Sequence, residues 1–277
     1  MQRHLISRSV SAAIVLVSGA SCSNDDSLDA AEQVELATSE SAPSETTTTV
    51  AATTTSAKAT TTTAPAGELT ESARTYLEAV ANGDDGRPTA EAGSLAWAYA
   101  DYLQAVNAAF GRSGAPVSGE FDAEGAVFAY EDGSTVRYDN LVVSPGGMVS
   151  FDVNGVPLAD VLLFSDATQG DGLVVVEQAT SYRTASGGFI VTARIRNGGD
   201  SNLDVAAYDA AWVSEDGGAQ LEPVEWGGSD SIRPGAVGTV TMYYGQVALA
   251  TSAGTVYFES FLNDFSETAS YSAVLME

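Results

Sequence analysis

Apolar positions change their period twice along this chain. Residues 23–66 show no apolar period at all. Between Glu68 and Phe110 apolar side chains recur at helical spacing, first as Leu69, Ala73, Tyr76, Leu77 and Val80, then as Leu95, Tyr99, Tyr102, Leu103, Val106 and Phe110. Asn82-Gly83 stops the first helix and Gly111 caps the second, which starts near Ser94. From residue 126 onward the period falls to two, the spacing of a half-buried strand.

The first strands are expected at 126–130 and 135–143, around the turn Glu131-Asp132-Gly133-Ser134. Val149, Phe151 and Val153 alternate with Ser150 and Asp152, and Asn154-Gly155 then turns the chain into a strand at 156–164. The polar, glycine-containing stretch 165–172 marks a boundary. Beyond it strands are expected at 173–176, 189–196, 203–213, 219–224, 237–244, 255–261 and 271–276. In the clearest alternation of the chain, Phe189, Val191, Ala193 and Ile195 face inward, and Thr192, Arg194 and Arg196 face solvent. The fold class that follows is mainly β with two N-terminal helices. A small α+β domain spans 67–165, and an antiparallel β-sandwich of about seven short strands spans 166–277.

The unpatterned stretch is acidic in its first half and threonine-rich in its second, so 22–66 is expected to be a disordered stalk. A flexible chain of that length spans ~35–40 Å. Ahead of it, Arg3 and Arg8 precede the mostly apolar 10–17, and the small residues Ser18, Gly19, Ala20 and Ser21 precede Cys22. That is the charged, apolar and small-residue order of a secretory signal at 1–21. Its apolar run is far below the ~20 residues that span a bilayer.

Composition then narrows the chemistry. Histidine occurs only at position 4, cysteine only at 22 and lysine only at 58, so residues 67–277 contain none of the three. No imidazole is available as a base for a serine or cysteine nucleophile. Zinc sites built on Cys or His, Schiff-base lysines and the lysine of a phosphate loop are removed as well. The chain carries a net charge of −26, and the mature part near −28 with nine basic against 37 acidic residues. Such a charge argues against nucleic acid as a partner, because phosphate binding is dominated by cationic contacts. It also repels anionic lipid headgroups, so membrane contact is expected through an anchor alone.

Three resemblances add to this reading. Gly19-Ala20-Ser21-Cys22 resembles the lipobox of bacterial lipoproteins, with Gly19 where that family has leucine. The resemblance implies lipidation of Cys22 and an extracytoplasmic, membrane-anchored protein; the alternative is ordinary cleavage after Ala20, where Ser18-Gly19-Ala20 fits the small-residue pattern, leaving a free Cys22 thiol. Phe189-Ile190-Val191-Thr192-Ala193-Arg194-Ile195-Arg196-Asn197, with Asp216-Gly217 and Ile232-Arg233-Pro234-Gly235, resembles the immunoglobulin-like domains of bacterial surface lipoproteins, without their antibody relatives' cysteine pair. That likeness implies a binding or spacer module. Tyr76-Leu77-Glu78-Ala79-Val80-Ala81-Asn82-Gly83-Asp84 looks like the opening of the nuclear transport factor two-like cone, in which helices pack into a curved sheet around a pocket.

The candidate sites follow. Tyr76, Leu103 and Phe151 would line a carrier pocket in 67–165. Trp226, beside Gly227-Gly228, is the aromatic expected at the surface, where it could meet a glycan or an extracellular protein, whereas Trp97, Trp212 and Tyr244 are expected in the core. Asp200-Ser201-Asn202-Leu203-Asp204 begins like a calcium loop but has Val205 and Ala211 where that loop needs glycine and glutamate. No metal or cofactor is therefore expected. The favoured function is non-enzymatic binding at the cell envelope. A small-molecule carrier and a carboxylate-only hydrolase are the alternatives, since 37 acids always allow some facing pair.

Overall fold

The computed structural model describes residues 69–111, 114–165, 169–170, 172–247, 253–262 and 267–276. The expected signal, Cys22 and the stalk lie outside the described residues.

Helix α1 (Glu71–Ala81) starts where the Thr70 hydroxyl accepts a hydrogen bond from the Ala73 N–H at 3.3 Å, which satisfies one of the orphan donors of the first turn. It ends at Asn82, with Gly83 at φ +71°. One face, Ala73, Tyr76, Leu77 and Val80, is buried. Helix α2 (Leu95–Phe110) is capped in the same way by Ser94, which accepts from the Trp97 N–H at 3.2 Å. Its sequence is apolar around most of its circumference, and accordingly it buries more than one face: Ala96, Ala98, Tyr99, Ala100, Asp101, Tyr102 and Val106 are all inside.

The strands that follow α2 are β1 (Ser118–Phe121), β2 (Ala126–Ala129), β3 (Thr135–Ser144), β4 (Gly147–Val153) and β5 (Val156–Pro157), paired antiparallel in chain order as one sheet. A single helical turn, α3 (Leu158–Val161), comes next. Then come β6 (Leu162–Ser165), β7 (Gln169–Gly170), β8 (Val174–Arg183), β9 (Gly188–Asn197), β10 (Leu203–Val205), β11 (Ala211–Ser214) and β12 (Gln220–Leu221). The chain closes with β13 (Glu225–Gly228), β14 (Ser231–Ile232), β15 (Val237–Gln246), β16 (Gly254–Leu262) and β17 (Glu267–Leu275). These form a sandwich of two antiparallel sheets. One has the order β13-β15-β9-β8-β6 with β7 on β8, and the other β12-β11-β16-β10-β14 with β17 on β16. Between them Phe189, Val191, Ala193, Ile195, Trp212, Met242, Val256 and Phe258 form an apolar layer, in which the Trp212 and Phe189 rings meet edge-on at 4.8 Å. The protein is thus mainly β with few helices, as its alternation predicts.

Two expected strands are interrupted, and a third has its expected solvent face covered. The strand at 156–164 is broken by α3, because Pro157 has no N–H to give to a ladder and its fixed φ suits a helix entry. Strand β6 then pairs with β8, so residues 162–165 belong to the sandwich by hydrogen bonding. The strand at 203–213 is interrupted at 206–210, as described below.

The third correction concerns the outer face of β9. Thr192 is only 5% exposed and Ile190 is buried, although alternation turns both away from the sandwich core. Arg194 is half-buried and Arg196 exposed, both beside Glu177. The reason is α2, which lies across this sheet. Thr180 of β8, Thr192 of β9 and Thr241 of β15 are cross-strand neighbours in one buried row, and the Thr241 hydroxyl donates to the Ala105 carbonyl of α2 at 3.4 Å. At the end of the helix Gly227 of β13 comes so close that a Cβ there would sit 2.8 Å from the Ala109 carbonyl oxygen. The Gly227-Gly228 pair that made Trp226 look exposed is therefore also the landing point of α2.

Helix α2 touches β4 on its other side, so it is covered by two sheets. The core under α1 and α2 runs without a break from Tyr76, Phe128, Tyr138 and Phe151 to Leu162, Tyr182 and Ile190 of the sandwich. Tyr99 is the centre of this junction. Its ring lies 5.4 Å from Phe151 and 5.6 Å from Tyr182, and Tyr102 lies 4.9 Å from Tyr182. Burial pushes the phenols of Tyr76, Tyr99, Tyr102, Tyr138 and Tyr182 well above their ordinary range. A polar clasp reinforces the junction. Asp101 of α2 accepts from Arg87 at 2.5 Å on one oxygen and from Gln178 of β8 at 3.1 Å on the other. All described residues fall in one compact unit.

Candidate functional site

The excursion at 206–210 builds the most distinctive surface of the sandwich. Strands β10 and β11 lie along the same neighbour, β16: Val205 pairs with Ser260 and Ala211 with Tyr257. Residues 206–210 therefore stand opposite only Phe258 and Glu259, and the surplus chain is pushed out as a 3-10 turn (Ala207–Asp209). The segment Ala206-Ala207-Tyr208-Asp209-Ala210 contains no β-branched residue to hold it in a pleat. Ala207 and Ala210 point into the core, and Tyr208 and Asp209 are left exposed.

Tyr208 leans toward the edge strand β13. Its ring lies 5.9 Å from that of Trp226, and both side chains are about half exposed (48% and 50%). Asp209 points to the opposite flank of the turn, onto the outer face of β16 and β17. There a shallow cavity of about 520 Å³ is lined by Asp209, Ala211, Tyr257, Glu259, Ser270 and Ser272, together with Phe258 and Tyr271. Register explains its shape. Tyr257 has Ala211 on one side and Ser272 on the other, and Glu259 has Ser270 beside it. Two long side chains thus rise above a floor of small ones. Tyr257 is 50% exposed, and Glu259 and Asp209 are exposed. Beneath the floor the Phe258 and Tyr271 rings stack at 5.2 Å, and Tyr271 shares a 2.6 Å hydrogen bond with the buried Ser260. Burial, only partly offset by that bond, raises the Tyr271 phenol above its ordinary value.

The residues singled out from sequence are distributed as follows. Tyr76 and Phe151 are fully buried with ring centroids 5.6 Å apart, and the Tyr76 hydroxyl donates to the Ala96 carbonyl at 2.7 Å. Leu103 is half-buried against the same core. The three are brought together as packed core side chains. Trp226 is at the surface, apart from them, with Tyr208. Trp97 is half-buried, and Trp212 and Tyr244 are buried. The turn after β9 is fastened by the buried Asn197, whose amide donates to the carbonyls of Ser201 and Ile232, each at 2.7 Å.

Tyr208, Asp209, Tyr257 and Glu259 went unrecognised as a group. The signal for the last two was present in 255–260, where Tyr257 and Glu259 alternate with Val256, Phe258 and Ser260 and so must share the solvent face. The turn that adds Asp209 was hidden inside what reads as one apolar run.

No helix among the described residues is long and apolar enough to cross a membrane. No protein-family model matches this chain, and no curated protein matches its sequence. Among solved structures, part of the chain is similar to the archaellum periplasmic stator protein FlaG from Sulfolobus acidocaldarius, at 16% identity over 34% of this chain and 92% of that one, with a TM-score of 0.23. It is similar also to a chain of the FlaF and FlaG stator complex from the same organism, at 15% identity over 38% of this chain and 90% of that one, with a TM-score of 0.26.

Proposed function

We propose that this chain is a lipid-anchored extracytoplasmic protein whose folded head binds a partner and performs no chemistry. The observation that carries the binding role is the corner around Ala207–Asp209, where three half-exposed aromatics, Tyr208, Trp226 and Tyr257, flank two exposed carboxylates. Exposed aromatic side chains are over-represented where proteins meet partners, because a rigid ring contributes much contact area at little entropic cost. The absence of His, Cys and Lys from 67–277 supports a role without catalysis. The signal-like 1–21, Cys22 and the unpatterned stalk support tethering at a distance from the membrane.

Photocrosslinking on intact cells tests this reading. A benzophenone amino acid at position 208 is expected to capture a discrete extracytoplasmic partner, and the same probe at Glu131 is not. Cys22→Ala is expected to release the protein from the detergent phase and to abolish capture. Equal capture at both positions, or a Cys22→Ala chain that stays with the membrane, would refute it.

A further inference from the structure

We infer that the cavity beside Tyr257 is a socket for a guanidinium group, and that the partner presents an arginine side chain to it. The inference rests on the binding role proposed above and names the chemistry of the same corner.

The lining decides between ligand classes. Its side chains offer two carboxylates, Asp209 and Glu259, two serine hydroxyls, Ser270 and Ser272, and the ring of Tyr257. Among the described residues, no basic side chain and no side-chain amide lines it. Carboxylates only accept hydrogen bonds, so the site is built for a ligand rich in donors. An anionic ligand would meet two negative charges in a chain of net charge −26 and is disfavoured at any distance within a Debye length. A saccharide hydroxyl donates and accepts equally, and this lining leaves its acceptor half served by serines alone.

A guanidinium matches what remains. It has five N–H donors and no acceptor, and its plane stacks on an aromatic face. Tyr257 and Glu259 are two residues apart on one strand and rise from the same face, ~7 Å from each other. That gap accepts one planar cation, with the Tyr257 ring on one side and the Glu259 carboxylate in the plane of its donors. Ser270 and Ser272 lie on the neighbouring strand in register with Glu259 and Tyr257 and can accept the donors that point away. Asp209, at the rim, adds a second charge. A lysine ammonium would keep the charge attraction and lose both the fork and the stacking.

The test uses the full chain labelled with 3-fluorotyrosine and observed by fluorine NMR, with the Tyr257 resonance identified as the one lost in Tyr257→Phe. The probe is N-acetyl-arginine methylamide, compared with its lysine counterpart and with maltotriose. The Tyr257 resonance is expected to shift saturably with the arginine probe and at least threefold less at equal concentration with lysine. Glu259→Gln is expected to weaken the arginine response about tenfold, because it removes a charge-assisted pair, and added salt to weaken it further. Glu215→Gln, at a hairpin tip, is expected to leave it unchanged. A saturable response to maltotriose alone, or an arginine response equal in wild type and Glu259→Gln, would overturn the assignment. The two readings fail separately. If position 208 captures a partner while Tyr257 ignores arginine, the corner binds by another chemistry. If Tyr257 binds arginine and nothing is captured, the socket stands and the binding role falls.

Discussion

Thr192→Asp is expected to unfold the protein as completely as Val191→Asp does. Alternation along β9 alone gives a different result, with Val191 inside the sandwich and Thr192 in water. In the structure Val191 is fully buried between the two sheets, and Thr192 is 5% exposed under α2, in a row with Thr180 and Thr241. A carboxylate at either position is taken out of water without a cationic partner, which costs several kcal/mol. A domain is stable by only ~5–15 kcal/mol. Thermal melting of the two variants beside Arg196→Asp, whose site is exposed, checks this. Both buried changes should abolish the native transition, and Arg196→Asp should lower its midpoint by no more than a few degrees. A near-native melt for Thr192→Asp would mean that α2 does not rest on this sheet.

The second large effect concerns the helices themselves. Residues 172–277, produced alone, are expected not to fold cooperatively, although they contain every strand of the sandwich except β6 and β7. Without α2 the outer face of the β13-β15-β9-β8 sheet loses its cover. Ile190 and Tyr182, which belong to the core under the helices, would face water. Each such side chain accounts for ~1.5–3 kcal/mol of burial, and the Gln178–Asp101 hydrogen bond is lost with them. An exposed apolar sheet face is also a route to self-association. Circular dichroism and gel filtration of the fragment should show no sharp thermal transition and a broad, aggregated elution. A monomer that melts like the full chain would show that the sandwich needs no helix.

Most of the secondary structure was legible because each element is written in its own period. Helix α2 begins and ends where Ser94 and Gly111 place it, and β9 and β15 extend little beyond the expected residues. What the sequence hid was layering. The outer face of the β13-β15-β9-β8-β6 sheet carries a row of threonines, Thr180, Thr192 and Thr241, whose hydroxyls look solvated in a one-dimensional pattern. All three are buried, and α2 lies close enough to this row for the Thr241 hydroxyl to donate to the Ala105 carbonyl. A signal for this existed in α2 itself. Between Leu95 and Phe110 its only charge is Asp101, and a helix with almost no polar face must be covered on more than one side.

The candidate site was less legible than the fold. Trp226 was recognisable as a surface aromatic, but its companion Tyr208 and the socket beside Tyr257 depend on a turn that interrupts an apparent strand. The β-branched content of 203–213 falls to nothing between Val205 and Val213, and that loss was the only local sign. Register then does the rest, by setting Ser270 and Ser272 opposite Glu259 and Tyr257, and long-range register cannot be read from composition.

The claim on which these expectations depend is that α2 joins the N-terminal layer and the sandwich into one cooperative body that holds the aromatic corner rigidly. Scanning calorimetry of the mature chain tests it most directly. One transition is expected, with a calorimetric enthalpy equal to the van't Hoff enthalpy, because no part can lose its core without exposing the other's. Two separate transitions, or a calorimetric enthalpy about twice the van't Hoff value, would contradict it and make the helices and the sandwich independent domains.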